Sequence, residues 1–250
     1  MKRYQTDVLV IGGGGAGLMA AYEASKHTAK VSLVNKGKLL RTGATIMAPG
    51  AISAVDDRWK VKGDSKELFV KDTIKGGNYI NNQDLVKIMA EKSSELVLEL
   101  EQMGAIFQRE EDGQKYMLRI DGGHTYPRCP YLEDRTGREM SRTLISQLIK
   151  NDVTLHENIT ITRIIKKEGK VAGAVGLSID TYEPILFECK AIILAAGGAG
   201  SIYENTDNSK DLTGDGYALA LNAGVSLRDM EFVQFYPVGF LFPESLKGML

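Results

Sequence analysis

The sequence predicts an α/β fold with a parallel sheet core and an antiparallel β meander, and three observations carry that prediction. An apolar run, Asp7-Val8-Leu9-Val10-Ile11, ends at the glycines Gly12 to Gly17, and a helical pattern follows from Ala16 to Lys26. A second apolar run, Lys30 to Asn35, completes a strand–helix–strand start. Farther on, short alternating segments separated by glycine-bearing turns run from Thr154 to Cys189.

The remaining elements follow in order. Lys36 to Val55 reads as a long loop rich in Gly, Ala and Thr. Helical spacing covers Lys66–Lys75, Asp84–Met103 and Arg138–Asn151, with a polar stretch between Arg109 and Thr136. Glu91, Glu95 and Glu99 recur at helical spacing and read as a solvated face. Thr154–His156, Ile159–Lys166, Lys170–Ile179 and Ile185–Cys189 are expected to form the meander. Ala191 to Ala195 reads as a second fully buried strand, and a helix follows Asp215.

Composition narrows the functional classes. The 250 residues are 43 % hydrophobic and 25 % charged, with a net charge of -1. That balance argues against nucleic acid or an anionic membrane as partner. No stretch is apolar and long enough for a transmembrane segment, and the N-terminal apolar run is too short for a signal peptide. Cys129 and Cys189 lack metal-ligand spacing, so no metal is expected and a reducing, cytoplasmic setting is the default. Among the three histidines, His27 and His156 read as structural. His124, after two glycines and before Arg128, is the one plausible active-site histidine, though a polar-turn role suits it better.

Gly12, Gly14 and Gly17 satisfy G-x-G-x-x-G in the strand-to-helix context that the motif requires. Gly12 permits the tight turn, Gly14 lets the backbone approach a pyrophosphate, and Gly17 brings the helix close to the sheet. Unpaired N–H groups and the helix dipole favour the anion. An acidic ribose-binding residue is expected at the end of the second strand, where Asn35 stands instead, followed by Lys36. An amide there still hydrogen-bonds a hydroxyl.

Residues 41 to 52, Arg-Thr-Gly-Ala-Thr-Ile-Met-Ala-Pro-Gly-Ala-Ile, then Gly122-Gly123-His124 with Arg128, Thr136-Gly137, Ala195 to Gly200 with Tyr203, Thr213-Gly214-Asp215-Gly216 and Asp229 to Pro237 are similar in order and spacing to one family. The chain resembles the N-terminal part of the succinate dehydrogenase/fumarate reductase flavoprotein family, which includes L-aspartate oxidases. The resemblance implies an FAD-binding domain over 1–235 and the start of a capping, substrate-binding domain over 236–250. It places Gly12, Gly13, Gly14, Gly15, Ala16 and Gly17 at the pyrophosphate, and Asn35 and Lys36 near the adenosine ribose. Gly43, Ala44, Thr45, Ala48, Gly50 and Ala51 would line the isoalloxazine. Ala195, Ala196 and Gly197 would approach the adenosine with Ile161, and Asp215, also a candidate helix cap, would lie near the flavin end.

Departures from the family carry expectations of their own. Ala44 occupies the position of the histidine that attaches FAD in membrane-bound members, so the FAD is expected to be noncovalent. The family's His-Pro-Thr substrate motif reads Tyr236-Pro237-Val238, which leaves Tyr236 as the substrate-site candidate and weakens the case for a simple C4-dicarboxylate. The sequence ends at Leu250, where the family's capping domain begins, so the catalytic residues are unknown. The expected activity is hydride transfer between flavin and a small organic acid. The alternatives are an L-aspartate oxidase-like enzyme and a non-catalytic FAD-binding or electron-transfer module. An iron–sulfur or other electron-transfer subunit is a possible partner, and the expected location is cytoplasmic, or peripheral to the inner membrane face.

Overall fold

The structure is a computed structural model that describes residues 1–27, 29–235, 238–240 and 242–243. In chain order it contains β1 (Lys2–Gln5), β2 (Val8–Ile11), α1 (Gly15–Ser25), β3 (Val31–Val34) and α2 (Ala44–Met47). Next come α3 (Lys66–Gly76), α4 (Gln83–Gln102), β4 (Leu118–Arg119), β5 (Cys129–Pro130) and α5 (Thr136–Lys150). β6 (Thr154–His156), β7 (Ile159–Lys167), β8 (Lys170–Ser178), β9 (Pro184–Glu188), β10 (Ala191–Leu194) and α6 (Asp215–Asn222) complete the order. The chain divides into two compact units, one of residues 1–47 and 144–250, the other of residues 48–143.

The first unit holds two sheets. One is wholly parallel in the order β10-β2-β3-β6. The other runs β1-β9-β8-β7, antiparallel except where β1 pairs parallel with β9. Leu9, Ile11 and Val34 from the parallel sheet pack in one apolar cluster with Ile159, Ile161, Ala174, Ile185 and Phe187 from the other, and with Leu219 of α6. Area removed from water in such a cluster contributes roughly 25 cal/mol per Å2.

The sequence reading needs four corrections in this unit. β6 is not part of the meander. It follows a helix and returns parallel, beside β3, and a left-handed Asn158 (φ 56°) then turns the chain into the other sheet. β10 is only half-buried, because it is an edge strand with a single neighbour. β1 was not anticipated, since Tyr4 is its one apolar residue and its partner β9 lies some 180 residues away in sequence. The expected loop between Lys36 and Val55 contains the short helix α2.

The second unit is organised by α3 and α4. Ser65 caps α3 by accepting the Leu68 N–H at 3.2 Å, and Asn82 caps α4 by accepting from Asp84 and Leu85. Phe69 and Ala90 on these helices pack against Val55. The fully buried Arg128 sits among them, ion-paired to Asp64 at 2.8 Å and to Asp72 at 2.9 Å. No helix among the described residues is long and apolar enough to cross a membrane.

Candidate functional site

β2 lies inside the parallel sheet, so its C-terminal end opens between two neighbours, β10 and β3. Open parallel sheets bind ligands at that edge. Two of the glycines there, Gly12 and Gly17, are required by the protein's own backbone. Gly12 has φ +114°, and a Cβ on it would collide with the Ala195 backbone. A Cβ on Gly17 would collide with the Gly12 carbonyl, and one on Gly13 with Leu39 and Asn35. Gly14 differs. Its φ is -79°, and the nearest atom to an added Cβ is Thr45 Oγ1 at 3.4 Å, an ordinary contact. Nothing in the fold requires glycine at position 14.

The backbone donors of the loop divide in the same way. The Gly13 N–H donates to Asn35 Oδ1 and the Gly15 N–H to Thr45 Oγ1, both at 2.9 Å. Among the described residues no acceptor takes the N–H groups of Gly14, Ala16 and Gly17. They sit at the positive end of the 11-residue α1.

Asn35 is tied to the protein on three sides. Besides accepting from Gly13, its Nδ2 donates to the Gly37 carbonyl at 2.9 Å and to Thr42 Oγ1 at 3.1 Å. It locks the glycine loop to the 37–42 turn. Lys36 reaches the other wall of the crevice, where Nζ donates to Thr213 Oγ1 at 2.5 Å, Asp215 Oδ2 at 2.8 Å and the Asp211 carbonyl at 3.2 Å. Asp215 does not cap α6. Gly214 occupies the cap position with φ +76°, and Asp215 is the first helical residue, accepting from Lys36 and from Thr213 Oγ1.

These side chains border a crevice open to solvent, lined by Ile11, Gly12, Asn35, Lys36, Ile161, Ala196, Asp211 and Asp215 among others. Ile161 stands at a register shift between β7 and β8, the kind of bulge that bends a strand at a site. Ala195 donates its N–H to the Ile11 carbonyl at 2.8 Å, and Gly197, at φ +74°, turns the chain away beneath Leu212. The structure therefore brings together Gly12 to Gly17, Asn35, Lys36, Ile161, Ala195 to Gly197 and Asp215. It sets Asp215 with the residues expected on the adenosine side.

Gly43, Ala44 and Thr45 belong to the same unit. Gly43 has φ +92°, and its N–H donates to Asp211 Oδ1 at 3.1 Å. Ala48, Gly50 and Ala51 belong to the second unit. There the Ala48 carbonyl accepts the Gly137 N–H at 3.3 Å, and Gly50 has neither a positive φ nor any atom within 4 Å of an added Cβ. Tyr236 lies outside the described residues. Asp211, which holds Lys36 together with Thr213, was not singled out by the sequence reading, and Thr213 entered it only as part of the Thr213–Gly216 block, with no role of its own. The only signal at Asp211 is an acidic residue shortly before a helix that begins with Asp215.

His124 is held as a neutral structural group. Arg128 Nη1 faces its Nδ1 at 3.3 Å, and its Nε2 lies 3.0 Å from Ser53 Oγ. Because guanidinium only donates, Nδ1 is the acceptor and Nε2 carries the proton. Burial, and then the Arg128 charge, push its pKa below the ordinary 6.5.

A family profile described as FAD binding domain matches residues 7–250. The chain is 42 % identical to one component of the Methanothermobacter marburgensis fumarate reductase (CoM/CoB), over 99 % of this chain and 45 % of that protein. It is 34 % identical to the Clostridium acetobutylicum L-aspartate oxidase over 98 % of this chain and 56 % of that one. Among solved structures, Mycobacterium smegmatis Sdh1 in complex with UQ1 superposes with a TM-score of 0.94 at 39 % identity, covering all of this chain and 43 % of that one. The chain thus spans about half the length of the relatives it matches. With a strand, glycine loop and helix in the expected order and a match over nearly every residue, the chain belongs to the FAD binding domain family.

Proposed function

We propose that this chain holds FAD without a covalent link and serves hydride transfer between the flavin and a small organic acid, as a flavoprotein of the fumarate reductase and succinate dehydrogenase kind. The observation that carries the reading is Gly14. Neither its dihedral angles nor its neighbours call for glycine, while close approach of a pyrophosphate does. The three unpartnered N–H groups beside it form the donor set such an anion takes.

Bound FAD supplies the atom that takes or gives the hydride. The chain's residues do the rest by placement. Gly14, Ala16 and Gly17 donate N–H groups to the pyrophosphate, and Asn35 keeps the loop in the shape that exposes them. The Lys36 charge offsets the Asp215 carboxylate, so an anionic dinucleotide meets less repulsion. Ala44 has a methyl group in place of a nucleophilic ring nitrogen, which leaves the flavin unattached.

The visible spectrum of the purified chain, before and after acid precipitation, tests this reading. A flavin band that moves to the supernatant is expected; a colourless protein that takes up no FAD sinks it, and colour kept in the pellet sinks the noncovalent part. An L-aspartate oxidase-like activity is the second reading, favoured by Ala44 and by the similarity to the Clostridium enzyme. Hydrogen peroxide and an imino acid as products would select it. Several relatives are named as subunits, which supports a partner chain; that this partner is an iron–sulfur or other electron-transfer subunit, and that the site of action is the cytoplasm or the periphery of the inner membrane face, are the finer parts of the proposal.

A further inference from the structure

Asp211 lies outside every motif read from the sequence, yet it lines the same crevice as Lys36 and Asp215. Its Oδ1 accepts the Gly43 N–H at 3.1 Å and a hydrogen bond from Ser209 Oγ. Its main-chain carbonyl accepts from Lys36 Nζ. One residue thereby joins the end of β3, the start of the segment that follows Gly43, and the segment ahead of α6.

The connection continues through the chain. Two residues beyond Gly43, Thr45 Oγ1 accepts the Gly15 N–H at the N-terminus of α1. Residues 43–45 are therefore tied at both ends, to Asp211 on one side and to the glycine loop on the other. Gly43 itself has nothing within 4 Å of an added Cβ, so side-chain packing does not hold it in place. The hydrogen bond to Asp211 does.

We propose that Asp211 is a positioning residue of the FAD site: its side-chain oxygen fixes the Gly43 backbone and so sets where residues 43–45 present their main chain to the cofactor. The proposal rests on the FAD reading above. It requires an acceptor at position 211, not a charge, because the bond is made to a single oxygen. Asp211→Asn keeps that oxygen, and Asp211→Ala removes it.

Two readouts on the full chain decide the matter. Amide hydrogen exchange at Gly43, measured without FAD, should accelerate about tenfold in D211A and stay near that of the unaltered chain in D211N. The FAD dissociation constant, from quenching of flavin fluorescence, should rise about tenfold in D211A and change less than about twofold in D211N. Equal damage in D211N and D211A would mean that the charge matters, and would overturn the proposal. Unchanged Gly43 exchange in D211A, in a chain that binds FAD, would overturn it alone and leave the FAD reading intact. Failure of the unaltered chain to bind FAD would remove both.

Discussion

The glycine loop after β2 and the ion-pair cluster beneath α3 are both crowded with polar groups, and they are built in opposite ways. Around Arg128 the polar valences close on one another. Its guanidinium contacts Asp64 through Nε and Nη2, Asp72 through Nη2, and His124 through Nη1. Asp72 also accepts the N–H and Oγ1–H of Thr125, and these bonds together with Arg128 outweigh the burial that would raise its pKa and hold it below 3.8. At the loop the valences stay open: three N–H groups have no acceptor among the described residues, and one glycine has no reason in the fold. A cluster whose buried charges are matched by one another specifies structure, because it needs no ligand to neutralise it. An open one next to a crevice marks where a ligand is met. Buried charge alone does not separate the two cases.

The sharpest way to break this contrast is to remove Arg128. Replacing it with methionine leaves the Asp64 and Asp72 carboxylates buried without their cation, which costs about 3–5 kcal/mol. Urea unfolding followed by the single tryptophan, Trp59, in the same unit, measures it. A loss below about 1 kcal/mol would show that water reaches both carboxylates, and the cluster would no longer count as sealed.

A pair of glycine substitutions tests the open side. Gly17→Ala drives a methyl into the Gly12 carbonyl and should destabilise the FAD-free protein by about 1–3 kcal/mol in a thermal melt. Gly14→Ala has room for its methyl and should cost under about 1 kcal/mol, the range of a weakened helix cap. Its effect should appear in the FAD dissociation constant instead, raised about tenfold or more. Should G14A bind FAD as the unaltered chain does, the glycine would have no ligand-related reason either, and the main support for the proposed function would be gone.

The same contrast explains what could be read in the sequence. Local signals located the glycine loop, α1, α3, α4 and the β7-β8-β9 meander to within a residue or two, because periodicity and turn residues act over short distances. β1 and the placement of β6 escaped, since both depend on partners far along the chain: Tyr4 faces Phe187 and Val34 faces His156. At the site, residue type alone pointed the Asn35 amide at a ribose, and could not show that the same amide also ties Gly13, Gly37 and Thr42 together. Asp211 was invisible for the same reason. A residue that works through Gly43, 168 positions away, leaves no local pattern.

The smallest expected effect separates two histidines that burial treats alike. His124 and His156 both have pKa values pushed below 6.5, His124 by burial and Arg128, His156 by burial alone. His156 packs against both Tyr4 and Phe187, and its Nε2 has no hydrogen-bond partner among the described residues. A histidine whose folded pKa is lowered takes up its proton more readily in the unfolded chain. Its contribution to stability is therefore complete above about pH 6.5 and declines as pH falls from there toward the lowered folded value. The slope for one proton is at most about 1.4 kcal/mol per pH unit. His156→Phe keeps an aromatic ring against Tyr4 and Phe187 and should flatten that decline, leaving the share due to His124. Thermal melts between pH 7 and pH 5, followed by far-UV circular dichroism, check the difference. An identical pH slope in the variant would mean that the Nε2 position is hydrated after all, and that a lone unpartnered nitrogen outside the glycine loop marks a water rather than a charge-intolerant core.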